Sequence, residues 1–304
     1  MPTPNEIPTT TTAAIPPELI KMGVFQRSFA LLKMCLSVIK KDKEIMLFPV
    51  FSAISMILVV ASFAVPTFFN IDKIYNSTSG DFSPIGYGLI FLFYIVNYFV
   101  IIYFNSALIS CAIKRFQGGD PTVSYGFSQS NKKIGKILQF AIVAATVGML
   151  LNLLERKSSW LGKIVVRMLG TAWSILIYFI APVLVNEELN VKDSVKRSSQ
   201  IFAETWGENF IGAGGMGLMF FLIFLVLTIP LGLGFYLSAT LNSFQPLIIC
   251  AIIWIVLMIG FAIFQSTINS VYRAALYFYA AEKKSPIEFD QNILKSSFIP
   301  SQKV

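Results

Sequence analysis

The residues that could do chemistry in this chain are a few polar side chains set among long apolar stretches. From their positions we predict that four of them form a polar site inside a helix bundle: Asn105, Asn269, Arg273 and Glu187. Asn269 and Arg273 lie one helical turn apart, and Glu187, just after an apolar stretch, could pair with Arg273. Amides in a membrane interior must find partners. We therefore expect these side chains to join helices or, less favoured, to line a substrate cavity.

Carboxylates that could supply acid–base chemistry occur only near the ends of the apolar stretches. The candidates for an enzyme acting on lipid are Asp120, Glu187, Glu188 and Glu208. The chain has no histidine, the commonest general base and metal ligand, and its three cysteines are far apart. We therefore predict no enzyme activity, no metal site and no cofactor. A lipid-acting enzyme is the least favoured alternative.

One match to a nucleotide-binding motif is rejected because of its context. Residues 212–217 satisfy the dinucleotide pattern G-x-G-x-x-G, but no predicted strand precedes them and they open an apolar stretch. Ala213 and Gly217 instead fit a small-xxx-small pattern, which predicts that two helices approach closely there.

Six apolar stretches must position these residues, and each is long enough to cross a membrane. They cover 46–69, 85–113, 137–154, 164–185, 210–237 and 247–281. The hydrocarbon core of a bilayer is about 30 Å thick and needs about 20 apolar helical residues. Only 13% of the residues are charged, against about 25% in soluble domains. The predicted fold class is all-α: a polytopic membrane protein with six transmembrane helices.

A segment with helical periodicity, more polar than the apolar stretches, precedes each of the three pairs of apolar stretches. Their apolar stripes, in chain order, are Phe25, Phe29, Leu32, Leu36 and Ile39; Val123, Phe127 and Ile134; and Val191, Val195, Phe202 and Trp206. In the middle segment, Asp120 could cap the helix and Pro121 suits its first position. Such helices lie in a membrane interface with their basic residues toward the headgroups.

A recurring residue pair marks an internal repeat. Asn105-Ser106 closes the second stretch, and Asn269-Ser270 lies 164 residues further on, at the matching place in the sixth. That separation is two steps of about 82 residues. We predict three copies of an interfacial amphipathic helix plus a transmembrane hairpin, although the middle copy lacks the Asn-Ser pair.

Basic residues are concentrated in the loops on one side of the predicted bundle. Lysine and arginine number 18 in the N-terminal arm, the second and fourth loops and the C-terminal tail, against four in the other loops. The positive-inside rule then places both termini in the cytoplasm. The net charge of +8 indicates anionic headgroups as the partner, and not nucleic acid. The candidate headgroup-binding residues are Lys40, Lys41, Lys114, Arg115, Lys132, Lys133, Lys136, Lys192 and Lys196.

The two ends of the sequence are predicted to be tails. Residues 1–22 are rich in proline and threonine and lack the apolar stretch of a cleavable signal peptide, so we expect a disordered N-terminal tail. The six-helix transmembrane domain is expected over 23–285, followed by a C-terminal tail at 286–304.

Four stretches of the sequence carry a family resemblance: 37–50 (SVIKKDKEIMLFPV), 118–122 (GGDPT), 192–209 (KDSVKRSSQIFAETWGEN) and 272–279 (YRAALYFY). They resemble an uncharacterised family of prokaryotic six-span membrane proteins, a domain of unknown function, and the similarity covers 25–282. This resemblance implies the topology and supplies no catalytic residues. More distantly, the layout is similar to the membrane domain of bacterial glycerophosphodiester phosphodiesterases. That similarity would imply a lipid-linked role, although their soluble catalytic domain has no counterpart in this sequence.

The favoured functional hypothesis is a non-enzymatic protein integral to the cytoplasmic (inner) membrane. Its basic cytoplasmic face would act in membrane organisation or in contacts with lipid or a partner protein. The expected partners are anionic membrane lipids, with a membrane-protein partner or a homo-oligomer as further candidates. The alternative is a permease or channel for a small or lipid-like solute, with a polar cavity lined by Asn105, Asn269 and Arg273.

Overall fold

Six helical segments that are long and apolar enough to cross a membrane dominate the part of the chain that the structure describes. The structure is a computed structural model and describes residues 24–76, 81–206 and 210–282. Within these ranges the spans are Lys43–Phe69, Pro84–Phe116, Ile134–Lys157, Trp160–Asn186, Met216–Leu241 and Gln245–Glu282. The predicted all-α class with six transmembrane helices is confirmed. The predicted tails, 1–22 and 286–304, and Glu208 lie outside the described residues.

The described residues form α-helices with one short 3-10 helix and one two-stranded sheet. In chain order these are α1 (Val24–Lys41), the 3-10 helix (Lys43–Met46), α2 (Leu47–Phe69), α3 (Ile71–Ile74), β1 (Tyr75–Asn76), β2 (Asp81–Phe82), α4 (Pro84–Phe116), α5 (Val123–Lys132), α6 (Ile134–Lys157), α7 (Trp160–Leu176), α8 (Ile180–Asn186), α9 (Val191–Trp206), α10 (Phe210–Leu227), α11 (Ile229–Leu241) and α12 (Gln245–Glu282). The antiparallel sheet, which pairs Tyr75 with Phe82, was not expected from the sequence.

A shorter helix precedes each of three long helical hairpins. α1 precedes the hairpin of α2 and α4, α5 precedes the hairpin of α6 with α7 and α8, and α9 precedes the hairpin of α10 and α11 with α12. This order is that of the predicted repeat. The fourth and fifth spans are each divided in two, and Pro182 and Pro230 lie near the start of the second piece. Proline has no N–H for the helical ladder, which accounts for a break just before it.

α4 and α12 are much longer than a bilayer crossing requires. They have 33 and 38 residues, whereas about 20 are enough to cross the hydrocarbon core. The surplus lies at their C-terminal ends, and the buried residues of α12 all fall between Thr267 and Ala280. The main core is therefore at one end of the bundle. We call this the polar end and define it as the C-terminal parts of α4, α8 and α12, the helices α1, α5 and α9, residues 42–46, and the loops 117–122 and 187–190.

α1 packs against α10 and α12 with a side that differs in part from the predicted apolar stripe. Leu32 and Ile39 are buried as expected, and Leu31 and Cys35 are fully buried beside them. Phe29, also expected in the stripe, is instead 56% exposed. The inner side of α1 is thus rotated relative to the prediction, because the neighbouring helices determine which row of side chains is covered.

Small residues line the inner sides of α5 and α9. α9 buries Ser194 and Ser198, and α5 buries Gly126 and Ser130. Ile134, expected in the stripe of the α5 segment, is exposed and is the first residue of α6. Small side chains let a helix come close to its neighbours, so close packing and not apolarity alone selects these buried rows.

Close helix approach occurs at Gly126 and not at the predicted small-xxx-small pair. A Cβ atom added to Gly126 would lie 2.5 Å from Phe48 Cζ and 2.9 Å from the carbonyl oxygen of Ala107. A Cβ atom added to Gly217 would meet no atom within 4 Å. The predicted close packing is therefore wrong at Gly217, and the side chain of Ala213 lies outside the described residues.

Candidate functional site at the polar end

Loops that the sequence assigns to one side of the membrane meet at the polar end. Glu44, in the 3-10 helix before α2, accepts a hydrogen bond from the backbone N–H of Val123 at 3.4 Å. Gln117, after α4, donates to Glu282 at the end of α12 at 3.3 Å. The first, second and sixth spans thus present the same ends to each other, which agrees with a chain threaded back and forth.

Arg115 forms ion pairs with two aspartates of the same chain. Its Nε and Nη2 atoms both donate to the carboxylate of Asp42, which is buried. Nη2 also donates to Asp120 at 2.5 Å. Asp120 therefore does not cap α5 as expected. Thr122 does so, because its hydroxyl accepts a hydrogen bond from the N–H of Tyr125 at 3.2 Å.

Three more of the predicted headgroup-binding lysines also have partners within the chain. The ammonium group of Lys114 lies 4.2 Å from the centre of the Tyr125 ring, a cation–π contact. Lys133 and Lys136 both bind the carboxylate of Glu188, the latter at 3.0 Å. Hydrogen bonds from these two ammonium groups lower the pKa of Glu188 to about 2. These side chains hold the loops together.

The other predicted headgroup-binding residues are exposed on the three shorter helices. Lys40 lies on α1, Lys132 on α5, and Lys192 and Lys196 on α9. No side-chain hydrogen bond or ion pair connects these four lysines to another described residue. Lys41, beside Lys40, is also exposed and interacts within the chain. Each copy of the repeat therefore contributes at least one accessible lysine to the polar end.

The two Asn-Ser pairs meet where α4 and α12 cross. Ser270 donates a hydrogen bond to Asn105 Oδ1 at 2.7 Å. Asn269, on the adjacent position of α12, is half-buried and forms no side-chain hydrogen bond with another described residue. Asn105 thus joins helices, the favoured interpretation of the amides, whereas Asn269 does not.

Glu187 and Arg273 do not pair with each other. Glu187 accepts hydrogen bonds from Tyr277 at 3.0 Å and from Arg197 at 3.4 Å. The guanidinium carbon of Arg273 lies 4.5 Å from the centre of the Tyr178 ring, and its Nε atom is buried without a partner among the described residues. The expected contact fails because α9 brings Arg197 to Glu187, while the break before α8 presents Tyr178 to Arg273.

A serine from α9 satisfies the backbone where the fourth span is interrupted. The N–H of Phe179, between α7 and α8, donates to Ser198 Oγ at 3.0 Å, and both residues are fully buried. Sequence reasoning missed this contact. Pro182 indicated a break in the helix, but nothing local to the sequence identifies Ser198, on the next helix, as the partner.

A cavity of about 150 Å³ lies between α2, α4 and α12. Its polar lining residues are Ser52, Asn105 and Ser266, and its apolar ones include Ile101, Phe104 and Leu108. Of the three residues predicted to line a permease cavity, the structure places Asn105 here. Asn269 and Arg273 are outside this lining.

The candidate carboxylates among the described residues are each engaged by a neighbouring basic side chain. The described residues include no group of three or more Cys, Asp or Glu side chains that could hold a metal ion. The three described candidate carboxylates have different partners: Asp120 binds Arg115, Glu187 binds Arg197, and Glu188 binds lysines. Cys35 is fully buried, and burial raises the pKa of its thiol to about 12, so it is a poor nucleophile.

Comparison with known proteins identifies one family. A family model described as a family of unknown function (DUF6159) matches residues 84–287, about two thirds of the chain, beginning at α4. No curated protein matches the chain.

Proposed function

The chain belongs to this family of unknown function, and we propose that it is a non-enzymatic integral protein of the inner membrane whose polar end binds anionic lipid headgroups. The observation that carries the proposal is that four of the candidate headgroup-binding lysines are exposed on α1, α5 and α9 and have no side-chain partner among the described residues: Lys40, Lys132, Lys192 and Lys196. A lysine near an anionic membrane surface contributes about 1 kcal/mol to binding. The function in the cell would be membrane organisation.

The position of the three shorter helices supports this assignment. A crossing of about 30 Å that begins at Pro84 or Gln245 ends near residues 103 and 264, roughly 20 residues further along each helix. The three helices pack around the parts of α4 and α12 that continue past this level. Headgroups surround a bilayer protein at this level, so the exposed lysines are within their reach.

The exposed side of α1 has the mixed character of a helix at a membrane surface. Phe29 and Lys33 are one turn apart, and both are exposed. Lys40 follows on the same side, two turns after Lys33. Apolar rings that enter the acyl boundary beside ammonium groups that reach phosphates are typical of interfacial helices.

The opposite end of the bundle carries fewer basic residues, and its two arginines have partners within the chain. Arg167 pairs with Glu155 at 3.2 Å, and Arg156 lies 5.1 Å from the centre of the Phe82 ring. We propose that this end faces away from the cytoplasm, in agreement with the positive-inside rule.

The alternative functions remain predictions with weaker support. A permease or channel has one relevant observation, the cavity at Asn105, and Asn269 and Arg273 do not line that cavity. An enzyme would need a general base with a pKa near the working pH. Glu188, with a pKa of about 2, does not meet that need. A membrane-protein partner or a homo-oligomer would compete with lipid for the same exposed surfaces.

Lipid retention by the full-length protein tests the proposal. The protein is placed in nanodiscs with equal amounts of phosphatidylglycerol and phosphatidylcholine. The protein is then released from the nanodiscs, and native mass spectrometry identifies the lipids that remain bound to it. We expect phosphatidylglycerol to be enriched. Replacing Lys40, Lys132, Lys192 and Lys196 together by glutamine should remove that enrichment.

The matched control replaces exposed lysines at the opposite end, Lys73, Lys157 and Lys163, by glutamine. This variant should keep the enrichment. Equal retention of both lipids by the unmodified protein would contradict the proposal, as would an enrichment that survives the loss of the four lysines.

Labelling from outside the cell tests the proposed orientation. In a variant without native cysteines, Lys163→Cys should react with a membrane-impermeant maleimide in intact cells. Lys196→Cys should react only after the membrane is permeabilised. The reverse pattern would invert the orientation and remove the proposed contact with cytoplasmic-leaflet lipids.

A further inference from the structure

The cavity between α2, α4 and α12 contains hydrogen-bond donors that the protein leaves unused. Asn105 Oδ1 already accepts the hydrogen bond from Ser270, so the amide nitrogen of Asn105 is the group left over. This nitrogen and the hydroxyl groups of Ser52 and Ser266 have no hydrogen-bond partner among the described residues. All three residues line the same cavity. A polar group next to hydrocarbon without a hydrogen-bond partner is unfavourable, so an occupant with acceptor atoms would be stabilised in this cavity.

The depth of the cavity identifies the part of a lipid that it meets. Asn105 lies 21 residues after Pro84, and Ser266 lies 21 residues after Gln245. At 1.5 Å per residue both are about 32 Å from the opposite ends of their helices, at the far boundary of a hydrocarbon core about 30 Å thick. The ester groups that join acyl chains to glycerol lie at this boundary.

The chemistry of the lining matches an ester and not a headgroup. The lining includes no charged residue, so it offers a phosphate or an ammonium group no counter-ion. An ester carbonyl only accepts hydrogen bonds, which suits a site whose free groups are donors. A cavity of about 150 Å³ takes a molecule of about the size of benzene, so an ester with its neighbouring methylene groups fits.

We propose that this cavity binds the glycerol-ester region of a membrane lipid, with ester carbonyls accepting hydrogen bonds from Ser52, Asn105 and Ser266. The acyl chains continue along Ile101, which is exposed at the rim. The proposal goes beyond headgroup binding at the lysines, because it concerns a separate uncharged site that recognises a group common to ester lipids.

Two lipids that differ only in their carbonyl groups test the proposal. The full-length protein in detergent is titrated with diester phosphatidylcholine and with its diether analogue, and binding is quantified by native mass spectrometry. A hydrogen bond contributes roughly a two- to tenfold difference in affinity. We expect the ester lipid to bind at least about threefold more tightly than the ether lipid. Equal binding would overturn the proposal and would indicate a cavity filled by water.

Serine variants assign the difference to the cavity. Ser52→Ala and Ser266→Ala should each bring the ester-to-ether ratio closer to one, and the double variant should bring it closer still, since the amide of Asn105 is then the remaining donor. The control is Ser62→Ala, on α2 but outside the cavity lining, where the hydroxyl bonds to the carbonyl of Val59 in its own helix. An ester-to-ether ratio that is unchanged in the double variant would overturn the proposal.

The same titration separates this site from the headgroup site. Both lipids carry the same zwitterionic headgroup, so replacing Lys192 and Lys196 by glutamine should leave the ester-to-ether ratio unchanged. A ratio that falls in this lysine variant would assign the preference to the polar end and overturn the cavity assignment.

Discussion

Ser270 donates a hydrogen bond to Asn105 across 2.7 Å, and the two residues are 165 positions apart in the chain. One belongs to the Asn-Ser pair of the first repeat and the other to the pair of the third. The bond lies where α4 and α12 begin their buried C-terminal parts. It therefore joins the two long helices around which the polar end is assembled.

Removing this hydrogen bond should destabilise the protein modestly. Side-chain hydrogen bonds between membrane helices contribute about 0.6 kcal/mol on average and about 1.7 kcal/mol at most. We expect Ser270→Ala to lower the free energy of unfolding within that range, measured by denaturant titration in detergent. A double-mutant cycle with Asn105→Ala should give a coupling of the same size. Ser174→Ala, whose exposed hydroxyl bonds within its own helix, is the control and should change little. Zero coupling would show that the bond is not stabilising.

The ion pair of Arg115 with buried Asp42 should be the most sensitive charge contact at the polar end. Arg115→Leu leaves the carboxylate buried without its partner, which costs about 3–5 kcal/mol of unfolding free energy. Replacing both residues by leucine should restore most of that loss, because no buried charge remains. Thermal unfolding in detergent provides the measurement.

The exposed pair of Arg167 with Glu155 is the matched control for that measurement. Surface ion pairs contribute about 0–1 kcal/mol, so Arg167→Leu should have a small effect. If Arg115→Leu and Arg167→Leu lowered the free energy of unfolding by similar amounts, the burial of Asp42 would not be the reason for the destabilisation.

The close contact at Gly126 predicts a different outcome for two glycine-to-alanine changes. Gly126→Ala places a methyl group against Phe48 and the backbone of Ala107, and overpacking of this kind costs about 1–3 kcal/mol. Gly135→Ala, on α6, meets nothing within 4 Å and should stabilise its helix by up to about 1 kcal/mol. Opposite signs in thermal unfolding are expected. A stabilising Gly126→Ala would contradict the packing of α5 on α4.

Because two lysines bind Glu188, we expect the stability of the folded protein to decrease at acidic pH. The pKa of Glu188 is lowered from 4.5 to about 2 in the folded protein. Its contribution is therefore present above about pH 4.5 and is lost as the pH falls toward 2. Thermal midpoints measured from pH 6 to pH 2 should show a shallower acid decline for Glu188→Gln than for the unmodified protein. Identical declines would mean that the lysine contacts do not persist in solution.

The predicted elements that proved right depend on residues close together in sequence. Six spans follow from runs of apolar residues, and the Asn-Ser repeat follows from two short segments. The predicted sides of the shorter helices were less accurate. Phe29 is exposed and Ser194 is buried, because the covered side depends on which helix packs against it.

The amino-acid sequence did not predict which residues pair with the charged side chains. Asp42 lies 73 positions from Arg115, and several arrangements of the helices would satisfy the same composition. The same holds for the lysines. Lys132 and Lys133 are adjacent in sequence, yet of these two only Lys133 pairs with Glu188. Which lysines remain free for headgroups is decided by the fold of the loops.

Six apolar spans with basic residues gathered in alternate loops follow from the order of residues alone, because span length and charge placement are local properties set by the thickness of a bilayer. Three features appear once the chain is folded: Asn105 meets Ser270, Glu187 pairs with Arg197 and not with Arg273, and unused donors surround a cavity. Those outcomes require helices distant in sequence to pack at particular angles and depths, and no local pattern specifies that packing.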